Sequence, residues 1–323
     1  MASTTMTSPL GISTTIDSTV LSTSLADYQK RLCDNIYNNV VIFKLANEIG
    51  NKKTIDGGVS IVETLIRDKQ NAGGFYLGAD LLNNTQVNTT SLLEYKWQNM
   101  YEPITITRDE ERQNSGDMHK IIDLVGTKIA LSERASTDRL DQAFSTPIAG
   151  ANFLIDLETM VNTGTLGSIA GATYPFWQST VTTSGAFATQ GLTDMTTATY
   201  AVSSSATVDN PTHYITNKTI FQKFEQTRLP LERITNGNLS ANAGFTNLTF
   251  KGKPVIYGNY IGSGLLFGLN MNYIYLAVDS ATDMVTTPFI APVNQTIKVA
   301  YILWRGNLVT NNRRRHFKLT SIS

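Results

Sequence analysis

Between Ser115 and Phe144 the chain carries its longest regular pattern, and that pattern sets the scale of any fold it adopts. Met118, Ile121, Ile122, Val125 and Ile129 recur every three or four residues, the period of one helix face. Ser115 is placed to cap this helix, and Asp117 suits its first turn, where free N–H groups favour negative charge. Lys120, Asp123, Lys128, Glu133, Arg134, Asp138 and Arg139 fill much of the remaining surface. At 1.5 Å per residue such a segment is a rod of about 45 Å. With a single apolar stripe along it, the rod is expected to lie as a beam across a flat body.

Ahead of the beam the pattern changes to a period of two. Val59–Arg67 reads as a strand, and a polar, Gly- and Asn-rich stretch fills 68–90. Leu93, Tyr95 and Trp97 then alternate with Glu94, Lys96 and Gln98, and Ile104–Thr107 continues the strand after Pro103. This predicts a two-stranded excursion of about 50 residues with aromatic groups on one face. A lone hairpin is marginal in water. Burying Leu93, Tyr95 and Trp97 contributes on the order of 1.5–3 kcal/mol each, so that face needs a partner. A neighbouring subunit and the chain's own domain are both open at this point.

The flanking regions are less regular. Residues 1–24 hold thirteen Ser or Thr and one charge, Asp17, a polar arm with no core of its own. Ser24 caps a helical period at Leu25, Tyr28 and Leu32, and Val40–Phe43 reads as a strand. After Pro147 the chain is rich in Thr, Ser, Gly and Ala through 161–211, with Tyr174–Trp177 among them. Strands are expected at Thr212–Thr216, Phe250–Tyr257 (after a turn), Leu265–Leu269, Tyr273–Val278, Thr296–Leu303 and Phe317–Ile322, with a helix at 217–228 capped by Asn217. One long helix, short helices and scattered strands make the fold class α+β.

Composition removes whole classes of function. Lys plus Arg is 26 and Asp plus Glu is 26, so the net charge is zero, and only 16% of residues are charged. A coat that condenses nucleic acid needs a basic balance, whereas neutral surfaces associate with one another. Cys33 is the single cysteine, which excludes an intramolecular disulfide and reads as a small buried apolar residue. His119, His213 and His316 lack metal-site spacing. No apolar run reaches membrane-spanning length, and no secretory leader is expected from the first residues. Gly262-Ser263-Gly264 followed by Gly268 misses the dinucleotide fingerprint and reads as a hairpin turn. Asp109, Glu110 and Glu111 precede a helix, where carboxylates have a structural use. No nucleophile has a nearby base, so neither an enzyme nor a cofactor is expected.

Four stretches, in order, give the chain a resemblance. They are Gly57-Gly58 through Tyr95-Lys96-Trp97; Ile104–Gly116 leading into the long helix; Leu248–Tyr257 followed by Leu269-Asn270; and Ile302–Val309 followed by Asn312–Arg315. Together they resemble the major capsid proteins of tailed double-stranded DNA phages, which share the Hong Kong ninety-seven capsid fold. The resemblance implies an N-terminal arm and lead-in at 1–56 and an extended β-hairpin loop at 57–107. It implies a peripheral domain with spine helix at 108–160, an axial domain at 161–285, and returning peripheral strands at 286–323. It further implies self-assembly through pentamers and hexamers into an icosahedral shell enclosing phage double-stranded DNA, contacted weakly on the inner face. Portal, scaffolding and decoration proteins are the implied partners, scaffolding here being a separate protein. The implied location is the virion capsid, assembled in the host bacterial cytoplasm, with no membrane. Candidate inter-subunit contacts are Leu93, Tyr95, Trp97, Arg108, Glu111, Arg313, Arg314 and Arg315; for the last three, a solvated strand end is the other reading. An encapsulin-like compartment and another virion structural protein are the alternatives, while the long helix argues against an all-β fibre.

Overall fold

The computed structural model describes residues 41–48, 52–67, 73–83, 85–86, 88–113, 124–203, 209–235, 248–293 and 295–323. The Ser/Thr arm, Ser24, Cys33, Ser115, Asp117 and His119 lie outside the described residues.

The described chain opens with α1 (Ile42–Glu48), where the sequence predicts a strand at Val40–Phe43. The helix prevails because the Asp141 carboxylate accepts the N–H groups of Ile42 at 2.7 Å and Phe43 at 3.0 Å, which occupies donors a first turn leaves free. Ile42 and Ala46, one turn apart, are then buried together. β1 (Lys53–Ile55) follows, then β2 (Ser60–Ile66), β3 (Thr90–Lys96) and β4 (Gln98–Thr107). β2 and β3 form an antiparallel hairpin, Ser60 facing Lys96 and Ile66 facing Thr90. β4 belongs elsewhere: it pairs antiparallel with β12 (defined below) from Gln98 to Thr107. The two-stranded excursion therefore closes at Lys96 instead of continuing to Thr107.

α2 (Arg108–Gln113) brings the acidic run into a first turn. Glu110 accepts the N–H of Thr107 at 2.9 Å and pairs with Lys128 at 2.8 Å, and these partners hold its carboxyl below the usual range. α3 (Leu124–Ser145) is the described part of the beam. Its burial is concentrated in the last three turns, at Ser136, Leu140, Ala143 and Phe144. Phe144 stacks on Phe43 and meets Trp304 edge-on, with ring centroids 6.3 and 6.1 Å apart. Ile129 is half-buried against Ile104, Ala300 and Ile302.

The chain then runs through α4 (Leu157–Met160), β5 (Thr180–Thr183), α5 (Leu192–Val202), β6 (His213–Thr216), α6 (Lys218–Thr235), β7 (Thr249–Phe250), β8 (Lys253–Tyr257), β9 (Leu266–Leu269), β10 (Ile274–Asp279), β11 (Val285–Thr286), β12 (Ile297–Thr310) and β13 (Phe317–Thr320). These strands make two further sheets. The first has five strands in the order β1, β10, β12, β11, with β4 also on β12. β12 runs through Gly306, a position that requires glycine because a Cβ there would come 2.6 Å from the Ala277 carbonyl oxygen of β10. The second has six strands in the order β5, β13, β9, β6, β8, β7. Asn217 caps α6 as predicted, accepting from the Ile220 N–H at 2.9 Å. The β7–β8 turn uses Lys251 and Gly252 at positive φ.

Two cores result. The larger joins the first sheet, α3, the inner face of the hairpin and the segment around Leu154–Trp177. The second packs α5 and α6 on the six-stranded sheet through Met195, Phe224, Phe250 and Phe317.

Candidate assembly surface

Alternation places Ile61, Leu65, Leu93 and Tyr95 on one face of the β2–β3 hairpin, with Trp97 just beyond it. All five are buried, Leu93 completely, in the chain's own larger core. The Tyr95 hydroxyl donates to the Thr310 carbonyl at 2.9 Å, and burial raises its pKa. Two side chains clamp the hairpin root to the sheet. Arg305 lies 5.0 Å from the Trp97 ring centroid, pairs with Asp279 at 3.0 Å and donates to the Gly58 carbonyl at 3.1 Å. Asn307 donates to the carbonyls of Lys96 at 2.8 Å and Phe153 at 2.7 Å and accepts the Ile155 N–H at 2.9 Å.

The other face is apolar and open. Val62 is 55%, Leu92 66% and Ile66 83% exposed. The described part of the tip adds Phe75, Tyr76, Leu77, Leu81 and Leu82, all exposed. A soluble monomer rarely gathers so many large apolar side chains on one projecting element. The arrangement suits contact with another surface. Among the described residues no group of His, Cys, Asp and Glu is placed to hold a metal ion, and no helix is long and apolar enough to cross a membrane.

No protein-family model and no curated protein sequence matches the chain. Solved structures do. The cyanophage A-1(L) capsid protein superposes with a TM-score of 0.64 at 14% identity, covering 95% of this chain and 99% of that one. A Mycobacterium phage Adephagia chain gives 0.59 at 11% identity over 96% and 99%. The SrpI encapsulin of Synechococcus elongatus gives 0.59 at 10% identity over 94% and 95%. The fold is that of phage capsid proteins. Encapsulin shares it.

Within this capsid fold, the candidate contacts divide. Leu93, Tyr95 and Trp97 are removed from the list: their period of two is real, but the partner for that face is the chain's own sheet. Arg313 is removed too. Its guanidinium is fully buried and donates to four carbonyls, those of Met160 at 2.7 Å, Gly164 at 2.6 Å, Thr159 at 2.8 Å and Trp177 at 3.3 Å. Burial pulls its pKa down to about 10, so it remains a cation at neutral pH. His316, behind it, accepts the Asn270 N–H on Nδ1 at 3.2 Å and faces the Thr310 hydroxyl from Nε2 at 3.1 Å. Burial, and then the Arg313 charge, push its pKa down to about 3. Arg314 is exposed, and Arg315 is half-buried, donating to the Val202 carbonyl at 2.9 Å. Arg108 is exposed at the start of α2. Glu111 lies in the same helix, its side chain outside the described residues. The open face that sequence reading passed over, Val62, Ile66 and Leu92, was marked by apolar residues in the polar phase of both strands.

Proposed function

We propose that this chain is a shell subunit that self-assembles through pentamers and hexamers into an icosahedral capsid around phage double-stranded DNA. The observation carrying this reading is the full-length likeness to capsid chains, joined to a clamped hairpin whose outer face and tip are apolar and open. In this reading 1–56 is the arm and lead-in, the β2–β3 hairpin within 57–96 the loop laid over a neighbour, the five-stranded sheet with α3 as spine the peripheral part, and the six-stranded sheet with α5 and α6 the axial part; β4 and β10 then go with the peripheral part and β13 with the axial part, against the expected boundaries at 107, 161–285 and 286–323. Arg108, Glu111, Arg314 and Arg315 stay as candidate contacts beside the outer face of the hairpin. Heterologous contacts that close around five-fold and six-fold axes generate rings, and rings tile a shell. The neutral charge balance suits a container that touches its DNA lightly. Portal, scaffolding and decoration proteins are its further partners, the virion its location and the host bacterial cytoplasm its place of assembly. The subunit performs no reaction in this role.

The likeness to an encapsulin supports a second reading, a protein compartment on the same fold. Size-exclusion chromatography and electron microscopy of the purified chain test both. Closed particles are expected, with DNA inside for the first reading and cargo protein without DNA for the second. A lone 35.4 kDa species that never closes into particles overturns both. Deleting 68–90 is expected to leave a folded subunit that forms no stable shell; normal particles from that deletion refute the loop's role.

A further inference from the structure

Along the outer edge of β2 runs a groove of about 820 Å³. One wall is Glu63–Arg67, and the other includes Trp177, Val202, Tyr273, Arg314 and Arg315. The direction of the β2 peptide groups follows from one bond. Arg67 donates its N–H to the Thr89 carbonyl at 2.7 Å, so Arg67 and Thr89 are a hydrogen-bonded pair of the ladder. Stepping back by two, Leu65, Glu63 and Ile61 turn their peptide groups towards β3, and Val62, Thr64 and Ile66 turn theirs outward. The outward edge of β3 is engaged at its centre, where Ser168 Oγ accepts the Glu94 N–H at 3.1 Å and donates to the Leu92 carbonyl at 3.4 Å. Among the described residues, no strand pairs with the outward edge of β2.

The groove also carries unspent positive charge. Glu63 is engaged by Lys53 at 3.3 Å and by the Tyr275 hydroxyl. Arg315 is matched by Asp209 at 3.7 Å. Arg67 lies 4.7 Å from the Tyr174 ring centroid, and Arg314 is exposed; neither has a carboxylate partner among the described residues. An open strand edge flanked by two such guanidiniums is complementary to an extended backbone bearing carboxylates.

We propose that this groove binds an extended acidic segment of a different polypeptide, which adds to β2 as a third strand and sets carboxylates against Arg67 and Arg314. Another copy of this chain fits less well. Its densest acidic run, Asp109–Glu111, is helical, and the described tip offers Asp80 alone, whose carboxylate already takes the Leu77 N–H at 2.9 Å.

The test uses the full chain and a fluorescein-labelled peptide in which Val and Thr alternate with Asp and Glu, with a control carrying Lys at the acidic places. Fluorescence anisotropy is expected to show salt-sensitive binding of the acidic peptide only. The double variant Arg67→Glu, Arg314→Glu is expected to weaken it roughly tenfold or more. Thr64→Pro removes one outward N–H without touching the β2–β3 ladder and is expected to weaken it as well. Circular dichroism and urea midpoints check that the variants fold; if Thr64→Pro shifts the midpoint, the charge variant alone decides. No binding, equal binding of the Lys peptide, or unchanged affinity in the charge variant overturns the proposal. So does a charge variant that abolishes self-association while leaving peptide affinity as it was, since the groove would then belong to a second copy. The peptide-binding readouts do not depend on whether shells form.

Discussion

The two faces of the β2–β3 hairpin differ by one residue step and by everything that follows from it. Leu93 has no exposed surface and Leu92 is 66% exposed. The inner face completes the subunit's own core, while the outer face stays exposed among the described residues. The same division runs between Arg313 and Arg314, one buried among carbonyls and its neighbour in water. In the proposed role, adjacent side chains divide two tasks, one holding the subunit together and the other meeting a partner. Variants that hit one member of each pair should separate stability from assembly.

The largest stability effect is expected at Arg313. Arg313→Ala strands the carbonyls of Thr159, Met160 and Gly164 in a buried site and should cost about 3–5 kcal/mol in urea unfolding of the dissociated subunit. Arg314→Ala in the same assay should stay within about 0.5 kcal/mol, and equal losses would erase the contrast. Leu93→Ala should cost about 2–5 kcal/mol by opening a cavity in the larger core.

The third prediction concerns pH. His316 is held neutral in the fold, its pKa near 3 against about 6.5 in the unfolded chain. Between these values the unfolded chain binds the extra proton and the folded chain does not. Its contribution is complete above about pH 6.5 and is lost as the pH falls towards 3. His316→Gln should flatten that slope in unfolding free energy measured across the window; an unchanged slope would place the acid sensitivity elsewhere. The smallest stability change is expected at Leu92→Ser, below about 0.5 kcal/mol in the dissociated subunit, together with loss of particles in electron microscopy. Intact particles from Leu92→Ser would remove the outer face from the assembly surface.

Much of the fold was written in local patterns. The hairpin phase, the Asn217 cap, the Lys251-Gly252 turn and the strands from β6 onward, the two-residue β11 excepted, follow from periodicity and turn residues, which act over a few positions. Ownership of a face is another matter, because alternation at Leu93, Tyr95 and Trp97 says that something covers them and not whose chain it is. Three further misses have the same origin in distant partners. Val40–Phe43 has a strand-like run, yet Asp141, about a hundred positions away, caps a helix there. α5 hides in a Thr-rich stretch, although Leu192, Met195, Thr199 and Val202 keep a helical spacing. In Arg313-Arg314-Arg315 nothing local distinguishes the residue that turns inward, since the carbonyls receiving it come from 159–177. The hairpin was legible in part: its two strands follow from alternation, but the face expected to meet a neighbour is the one covered by the chain's own core.

The Asp141 cap has a mechanical consequence. The carboxylate that grips the start of α1 sits on α3 one turn from its end, next to Phe144, where the beam is most deeply embedded. A pull on the chain at Val41 is therefore passed through the Asp141 carboxylate to the anchored end of the rod.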